Sequence, residues 1–326
     1  MNKVLVKRMV TAPIRPLYKK LKHQYCKKNP MKLTDQVFYT KFQRHIDWDN
    51  PQDLNEKINW LKFHVNPREW AKLADKYTVR EYVASRGLSD ILVPLYGHWS
   101  SVEDFFKAWN LLPDEFVLKS NNGSQHVVFV TKDQGGKKGI NLDELSGILQ
   151  SWLDEKEYNI EYAELHYQFI DNCIIAEGLL KDDSVKTFSR SLVDYKIWCF
   201  NGEPYGCLLA YDREIGTTHH YLDYYDLEWN ERTDLMSDRS PRQPVPKPDN
   251  WERMIDIARV LSEGHPQMRV DLYNVGGKIY FGELTMTSAN ALMDYFSTEL
   301  LLNMGKKIQL DLTMPWNEFA ERRRKK

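Results

Sequence analysis

Apolar residues recur at helical spacing in some parts of the chain and alternate with polar residues in others, which predicts a mixed α+β fold. Leu54, Ile58 and Leu61 mark one face of a helix over residues 50–64. A second helix is predicted for residues 70–86, ending at a glycine. The segment that precedes the first strands is therefore expected to be mostly helical.

Strand patterns begin further along the chain and are separated by turns that contain glycine or proline. The remaining predicted elements are a strand at 91–96, a helix at 102–109, strands at 116–119 and 126–131, a helix at 141–157, a strand at 169–176, β-structure at 193–211 and 219–229, a helix at 249–263 and a hairpin at 267–286. No internal repeat is visible in this order.

The final hairpin carries acidic residues among apolar neighbours. Such acids are unfavourable unless they are paired or hold a cation. Because side chains alternate along a strand, Arg269, Asp271 and Tyr273 share one face of the first strand. The hairpin is therefore the first candidate for a functional site.

Whether Glu283 faces Asp271 depends on the loop of this hairpin. A two-residue turn at Gly276-Gly277 would pair residue 271 with residue 282, whereas a three-residue loop would pair 271 with 283. Two facing carboxylates beside an arginine suit Mg²⁺ that bridges phosphate oxygens. The alternative interpretation is a patch of salt bridges without a metal.

A second candidate is the polar loop 120–125, which lies between the strands at 116–119 and 126–131. Backbone N–H groups of such a loop can bind phosphate, and Lys119 lies at the end of the strand beside it. Most polar hairpin loops are ordinary turns, so this loop alone is a weak signal.

Charge is distributed unevenly. The chain of 326 residues has a net charge of −1, yet residues 1–32 contain ten lysines or arginines and no acid, so the remainder is near −11. An acidic body argues against nucleic acid as a partner. The basic segment predicts a helix on an anionic membrane surface, a solvated arm or a helix packed on the body.

The four cysteines contain no CxxC pair, which argues against structural zinc and favours a reducing compartment. No apolar run has the length of a membrane span, and no apolar signal core follows the basic start. We expect a cytoplasmic protein that is either free or peripheral to the inner face of the cell membrane.

Several phrases in their order resemble the TupA-like family of ATP-grasp proteins, which is named for teichuronopeptide biosynthesis. The matching phrases are Lys57-Ile-Asn-Trp-Leu, Ala74-Asp-Lys-Tyr-Thr-Val-Arg-Glu-Tyr-Val, Phe116-Val-Leu-Lys, Asp194-Tyr-Lys-Ile-Trp-Cys-Phe-Asn-Gly, Arg269-Val-Asp-Leu-Tyr and Tyr280-Phe-Gly-Glu-Leu-Thr. The resemblance covers about residues 55–305 and implies two α+β subdomains that grip ATP, preceded by a mostly helical region.

The resemblance also implies the organisation of the chain and the roles of its residues. The implied segments are a basic arm or helix at 1–50, a helical region at 51–110, a small subdomain with the phosphate loop at 111–185, a C-terminal subdomain with the metal site at 186–315 and a basic tail at 316–326. The implied nucleotide contacts are Lys76, Lys119, Asn122, Gly123, Ser124, Glu177 and Asp194. The implied catalytic residues are Arg269, Lys196 and Arg213, and the implied ligands of Mg²⁺, or of Mn²⁺, are Asp271, Glu283, Thr285 and Asn290.

The sequence departs from the general ATP-grasp pattern at three places. Thr285 stands where most members have a metal-binding asparagine, which leaves Asn290 as a substitute. The phosphate loop 120–125 also differs from the usual phrase. The stretch 287–291 replaces a segment rich in proline and glycine, which would reshape the acceptor pocket.

The function implied by the resemblance is an ATP-dependent carboxylate–amine ligase that works through an acyl phosphate. The association of the family with cell-surface polysaccharides (capsule, O-antigen or teichuronopeptide) suggests that a small-molecule or glycan carboxylate receives an amino acid.

There are two alternative functions. One is a polysaccharide glycosyltransferase, which would use an Asp-x-Asp metal motif; the acids at 182–183 and 223–226 lack this spacing. The other is a non-catalytic module of the same fold.

Overall fold

The computed structural model describes residues 23–124, 126–155, 158–214, 220–238 and 242–320. Its α-helices are α1 (Pro30–Phe42), α2 (Leu54–Lys62), α3 (Pro67–Ala74), α4 (Val79–Ser85), α5 (Val102–Ala108), α6 (Leu142–Asp154), α7 (Trp251–Ser262) and α8 (Thr298–Lys307). Its strands are β1 (Leu95–Trp99), β2 (Phe116–Ser120), β3 (Val127–Val130), β4 (Ile174–Glu177), β5 (Asp194–Phe200), β6 (Glu203–Tyr211), β7 (Tyr221–Tyr225), β8 (Gln267–Val275) and β9 (Lys278–Thr285). Most of the predicted basic segment and most of the predicted basic tail lie outside these ranges.

The strands form two antiparallel sheets. The small sheet has the order β1-β4-β2-β3, and the large sheet has the order β7-β6-β5-β8-β9. Helix α6 packs on the small sheet through Leu145, Leu149 and Trp152. Helix α7 packs on the large sheet through a face that includes Met254 and Ile257. The predicted α+β class is confirmed.

Three element predictions need correction. The helix predicted for 70–86 is two helices, because the chain leaves helical geometry at Asp75. Asp75 accepts hydrogen bonds from the nearby Tyr77 N–H and from the side chain of the distant residue Asn121, and these contacts replace the helical pattern there. The strand predicted for 91–96 lies at 95–99 instead, where it pairs with β4. The strand predicted for 169–176 begins only at Ile174, after a short 3₁₀ segment.

The hairpin β8–β9 combines features of both predicted loops. Gly276 and Gly277 form a two-residue turn, with φ values of 57° and 81°, and Val275 pairs with Lys278. The register then shifts between Asp271 and Leu272, so that Gly282 is the extra residue of a bulge and Asp271 lies opposite Glu283. A bulge, rather than a longer loop, brings the two acids to one face.

Glycine is required at the bulge because the backbone is close. A Cβ atom at residue 282 would lie 2.9 Å from the Asp271 carbonyl oxygen and 3.2 Å from the ring of Tyr273. We expect Gly282→Ala to lower the free energy of unfolding by about 1–3 kcal/mol, because backbone atoms cannot move aside as a flexible side chain would. Chemical denaturation measures this change.

The matched control is Gly147→Ala in α6, where a Cβ atom meets nothing within 4 Å. This variant is expected to be neutral or to stabilise by up to about 1 kcal/mol, since alanine is the better helix former. Equal effects of the two substitutions would contradict the assignment of a tight bulge.

Candidate functional site

One face of the large sheet carries a polar patch that is mostly buried. Alternation along three adjacent strands places there the side chains of Asp194, Lys196, Arg269, Asp271, Tyr273, Glu283 and Thr285. Cross-strand pairing sets Lys196 beside Asp271, Asp271 beside Glu283, and Arg269 beside Thr285. Residues that are up to 91 positions apart in the sequence therefore meet in a single layer.

Asp271 is the centre of this layer. Its side chain is 1% exposed, and both carboxylate oxygens accept from Arg269, whose Nε and Nη2 lie 2.7 Å away. Lys196 Nζ donates to the same carboxylate at 2.5 Å. Burial alone would lower the pKa of Lys196, but Asp194 and Asp271 together raise it. The Arg269 and Lys196 cations therefore compensate a carboxylate that burial would otherwise disfavour.

Glu283 completes the pair of facing acids. It accepts from Arg269 Nη2 and from Thr285 Oγ1, each at 3.0 Å. Burial raises the pKa of Glu283, but the charges of Lys196, Arg269 and Lys76 outweigh this and hold the pKa at about 2. Its side chain is 42% exposed, so one side of the carboxylate remains accessible. The influence of Lys76 places the α3–α4 junction close to the hairpin acids.

One carboxylate oxygen of Asp194 lacks a partner among the described residues. Oδ2 accepts from Lys196 at 2.6 Å and from Arg213 at 3.2 Å. Oδ1 is buried and receives no hydrogen bond from the described residues. A buried acceptor that lacks a donor calls for one from a ligand or water. Arg213 is thus brought to the edge of the layer through Asp194.

The donor set on this face is compatible with Mg²⁺. The described residues contain no group of three or more His, Cys, Asp or Glu side chains that could hold a metal ion by themselves. Mg²⁺ is commonly held by one or two carboxylates together with substrate phosphates, and Asp271 and Glu283 supply two. Thr285 adjoins both Glu283 and Arg269. Asn290 instead directs its amide oxygen toward Asn159, at 3.4 Å.

The small sheet contributes a second charged group at the end of β4. Glu177 accepts from Lys119 Nζ at 2.8 Å and from Arg80 Nη1 at 3.0 Å. Arg80 also donates to the Val93 carbonyl oxygen at 2.7 Å. Arg80 lies on α4, four positions after Lys76 and within one of the matching phrases, but it is not among the site residues that the resemblance implies.

The polar loop after β2 is held by hydrogen bonds to residues that are distant in the sequence. Lys76 Nζ donates to the Gly123 carbonyl oxygen at 2.6 Å, and the Lys76 backbone N–H donates to the Asn121 carbonyl oxygen at 3.0 Å. Asn122 donates to Asn172, and the Ser124 N–H donates to the hydroxyl of Tyr158. Gln125 lies outside the described residues.

Lys76 connects this loop to the acids of the large sheet. Burial lowers the pKa of Lys76, Glu283 opposes this effect, and Lys119 adds to it. Such mutual influence requires the lysines and the acid to lie close together. The loop, Lys119 and the hairpin acids therefore border one polar region between the two sheets.

Comparison with known proteins identifies the family. Residues 56–309 match the family model described as TupA-like ATPgrasp.

The chain belongs to the TupA-like ATP-grasp family.

The predicted resemblance is confirmed, and the two antiparallel sheets with their helices agree with the predicted ATP-grasp fold.

Several solved structures are similar to this chain at low identity. N5-carboxyaminoimidazole synthetase from Staphylococcus aureus is 14% identical over 67% of this chain and 46% of its own, with a TM-score of 0.41. D-alanine–D-alanine ligase from Bacillus anthracis is 15% identical over 69% and 58%, with a TM-score of 0.38. L-amino acid ligase from Bacillus licheniformis is 12% identical over 80% and 56%, with a TM-score of 0.45.

The chain spans about half the length of these solved structures. No curated protein matches the sequence. Within the described ranges no helix combines the length and apolar character needed to cross a membrane.

The low pKa of Glu283 predicts a loss of stability in acid. The pKa of this carboxylate is about 2 in the folded protein, whereas its ordinary value is 4.5. The ionised group therefore contributes its full stabilisation above pH 4.5, and this contribution is lost as the pH falls toward 2. We expect Glu283→Gln to reduce the dependence of the unfolding free energy on pH in this window. Urea denaturation at pH 6 and pH 3 measures it.

Both proteins are measured at equal ionic strength, because an accessible carboxylate is partly screened by salt. If wild type and Glu283→Gln lost the same free energy between the two pH values, the three cations would not stabilise the ionised form of this residue.

Proposed function

We propose that the chain is an ATP-dependent carboxylate–amine ligase that forms an amide through an acyl phosphate. The observation that carries this proposal is the pair of facing acids, Asp271 and Glu283, surrounded by cations from three parts of the chain: Lys196 on β5, Arg269 on β8 and Lys76 at the α3–α4 junction. An arrangement of this kind suits a triphosphate and a divalent cation.

The proposed reaction has two steps. A substrate carboxylate oxygen attacks the γ-phosphorus of ATP, the bond to the β,γ-bridging oxygen breaks, and ADP leaves. An amine then attacks the carbonyl carbon of the acyl phosphate, inorganic phosphate leaves, and the amine gives up a proton to the solvent. Mg²⁺ held by Asp271 and Glu283 would supply charge neutralisation at the phosphates.

The protein groups contribute charge and position. Lys76 and Lys119 would contact the nucleotide phosphates, and Arg269 would contact the transferring phosphoryl group. The 120–124 loop would cover the phosphates, with Lys76 holding it at Gly123. Glu177 would lie at the adenine, and Asp194 would present its unpaired Oδ1 to the ribose or phosphate side. Lys196 would hold Asp271 ionised and in place.

We further propose a substrate class and a location. The likeness to proteins of teichuronopeptide synthesis supports a glycan carboxylate as the acid and an amino acid as the amine. The basic segment 1–32 supports a place beside lipid-linked precursors at the cytoplasmic face of the membrane. Most of that segment lies outside the described residues, so its charge alone carries this part of the proposal.

A glycosyltransferase would need a nucleotide-sugar site instead. The chain has one Asp-x-Asp spacing, Asp47-Trp48-Asp49, in the segment before α2. There the Asp47 carboxylate accepts from the backbone N–H groups of Asp49 and Asn50, at 3.2 Å and 3.0 Å. These contacts are those of a local turn.

Nucleotide binding separates the two activities. We expect ATP with Mg²⁺ to raise the melting temperature by several degrees and UDP-sugars with Mn²⁺ to leave it unchanged, because only a ligand of the folded state stabilises it. Differential scanning fluorimetry measures both. Stabilisation by UDP-sugars alone would contradict the ligase proposal. Release of ADP and phosphate that requires both a uronic acid and an amino acid would then establish the reaction.

Lys119 provides a direct test of the nucleotide contact. We expect Lys119→Gln to weaken ATP binding about 10–100-fold, since one charge-assisted contact to phosphate is lost. Isothermal titration calorimetry measures the dissociation constant. The control is Lys181→Gln, which removes a lysine bonded to Glu115 at 2.6 Å, a lysine–glutamate pair that has no part in the proposed site. Equal weakening by both variants would exclude a specific role for Lys119.

A further inference from the structure

The segment after β9 adopts an unusual backbone conformation. Ala289, Asn290 and Ala291 have φ values of 46°, 59° and 60°, so three consecutive residues other than glycine are left-handed. Such residues normally occur singly, because their Cβ atoms crowd the following carbonyl oxygen. A turn of three persists only where its surroundings hold it.

One face of α2 supplies these surroundings. Asn55, Asn59 and Lys62 recur at helical spacing and are 1%, 1% and 3% exposed. Asn59 Nδ2 donates to the Ala291 carbonyl oxygen at 3.2 Å, and Lys62 Nζ donates to the Asn290 carbonyl oxygen at 2.9 Å.

Two further contacts fix the ends of this arrangement. Asn55 bonds both the N–H and the carbonyl oxygen of Met293, at 2.9 Å and 3.1 Å. Lys62 also donates to the Tyr162 carbonyl oxygen at 3.2 Å. The helix thus binds the successive carbonyl groups of the left-handed turn.

Lys62 is the charged member of this face. No carboxylate of the described residues lies within salt-bridge distance of Lys62, so its ammonium group is directed at carbonyl oxygens. Glu164 is nearby and is bonded by Asn159 at 2.6 Å and by the hydroxyl of Thr287, the residue that precedes the turn. A buried cation that faces aligned carbonyl groups stabilises them electrostatically, as a cation does at the end of a helix.

The other end of the turn contacts Arg269. Its Nε and Nη2 are committed to the carboxylates and to Thr285, whereas Nη1 donates to Ser288 Oγ at 3.0 Å. The second N–H of Nη1 has no partner in the described part of the chain. Ser288 therefore orients the half of the guanidinium that retains a hydrogen for a ligand.

We propose that Lys62 is a positioning residue that, through the left-handed turn 289–291 and Ser288, orients Arg269 toward the transferring phosphate. This inference rests on the proposed ligase function. Lys62 donates to the carbonyl oxygens of Tyr162 and Asn290 and not to the acids of the site, so it fixes the conformation of the segment that holds Nη1. Loss of Lys62 is expected to affect a triphosphate more than a diphosphate, because only the former has the phosphate that Arg269 would contact.

The test compares buried Lys62 with half-buried Lys57 of the same helix. In Lys62→Met the ammonium group that holds the turn is lost. The control is Lys57→Met. The ammonium group of Lys57 donates to the Ile308 carbonyl oxygen at 2.7 Å, away from the turn. Dissociation constants of ADP and of the β,γ-imido analogue of ATP, both with Mg²⁺, are measured by calorimetry.

We expect Lys62→Met to reduce the preference for the triphosphate analogue over ADP about tenfold, as for the loss of one charge-assisted hydrogen bond, with ADP binding unchanged. Lys57→Met is expected to keep the wild-type preference. Adding Ala289→Gly to Lys62→Met should restore part of the loss, because Ala289 is exposed and glycine adopts a φ of 46° without strain.

Amide hydrogen exchange measures the effect of the substitution on the turn without any nucleotide. Amides of residues 286–293 should exchange faster in Lys62→Met and at the wild-type rate in Lys57→Met. If Lys62→Met does not fold, Ser288→Ala removes only the last contact and should give the same tenfold loss.

An unchanged triphosphate preference in Lys62→Met, or an equal loss in Lys57→Met, would overturn the positioning role. Wild-type protein that binds neither nucleotide would overturn the proposed function instead, and unchanged exchange in Lys62→Met would overturn the effect on the turn independently of it.

Discussion

The site depends on the ion pairs that the buried carboxylate of Asp271 forms with Arg269 and Lys196. A carboxylate that is 1% exposed is stable only if cations and donors replace its water. Arg269 replaces this water from the same strand, β8, and also contacts Glu283. Lys196 does so from the adjacent strand, β5, and also contacts Asp194. The polar face is therefore one connected network, in which the position of each charge limits the positions of the others.

This network depends on the bulge in the β8–β9 hairpin. In regular pairing beyond a two-residue turn, Glu283 would face away from Asp271, and Arg269 would lose one of its partners. The extra residue at Gly282 restores the common face. The same glycine also permits close approach to the Asp271 backbone, so one position serves both register and packing.

Much of this could be predicted from the sequence, but not all of it. The alternation in β8 indicated that Arg269 and Asp271 share a face, and the ordered phrases indicated the family. Periodicity could not predict the break at Asp75, which depends on a side chain from the distant residue Asn121. It could not locate the bulge either, since a glycine in a strand has several possible roles. The contact of Lys62 with Asn290 joins residues 228 positions apart and has no local signal.

Glu177 illustrates a consequence of how the charges are arranged. Its carboxylate binds Lys119 and Arg80, just as Asp194 and Asp271 bind Lys196. Glu177, Asp194, Asp271 and Glu283 thus offset part of the positive charge around them and weaken its field in the solvent. An anionic ligand would exchange partners with these acids after arrival. Its rate of association should consequently depend less on ionic strength than it would if the same cations had no acidic partners, even though its final contacts are ionic.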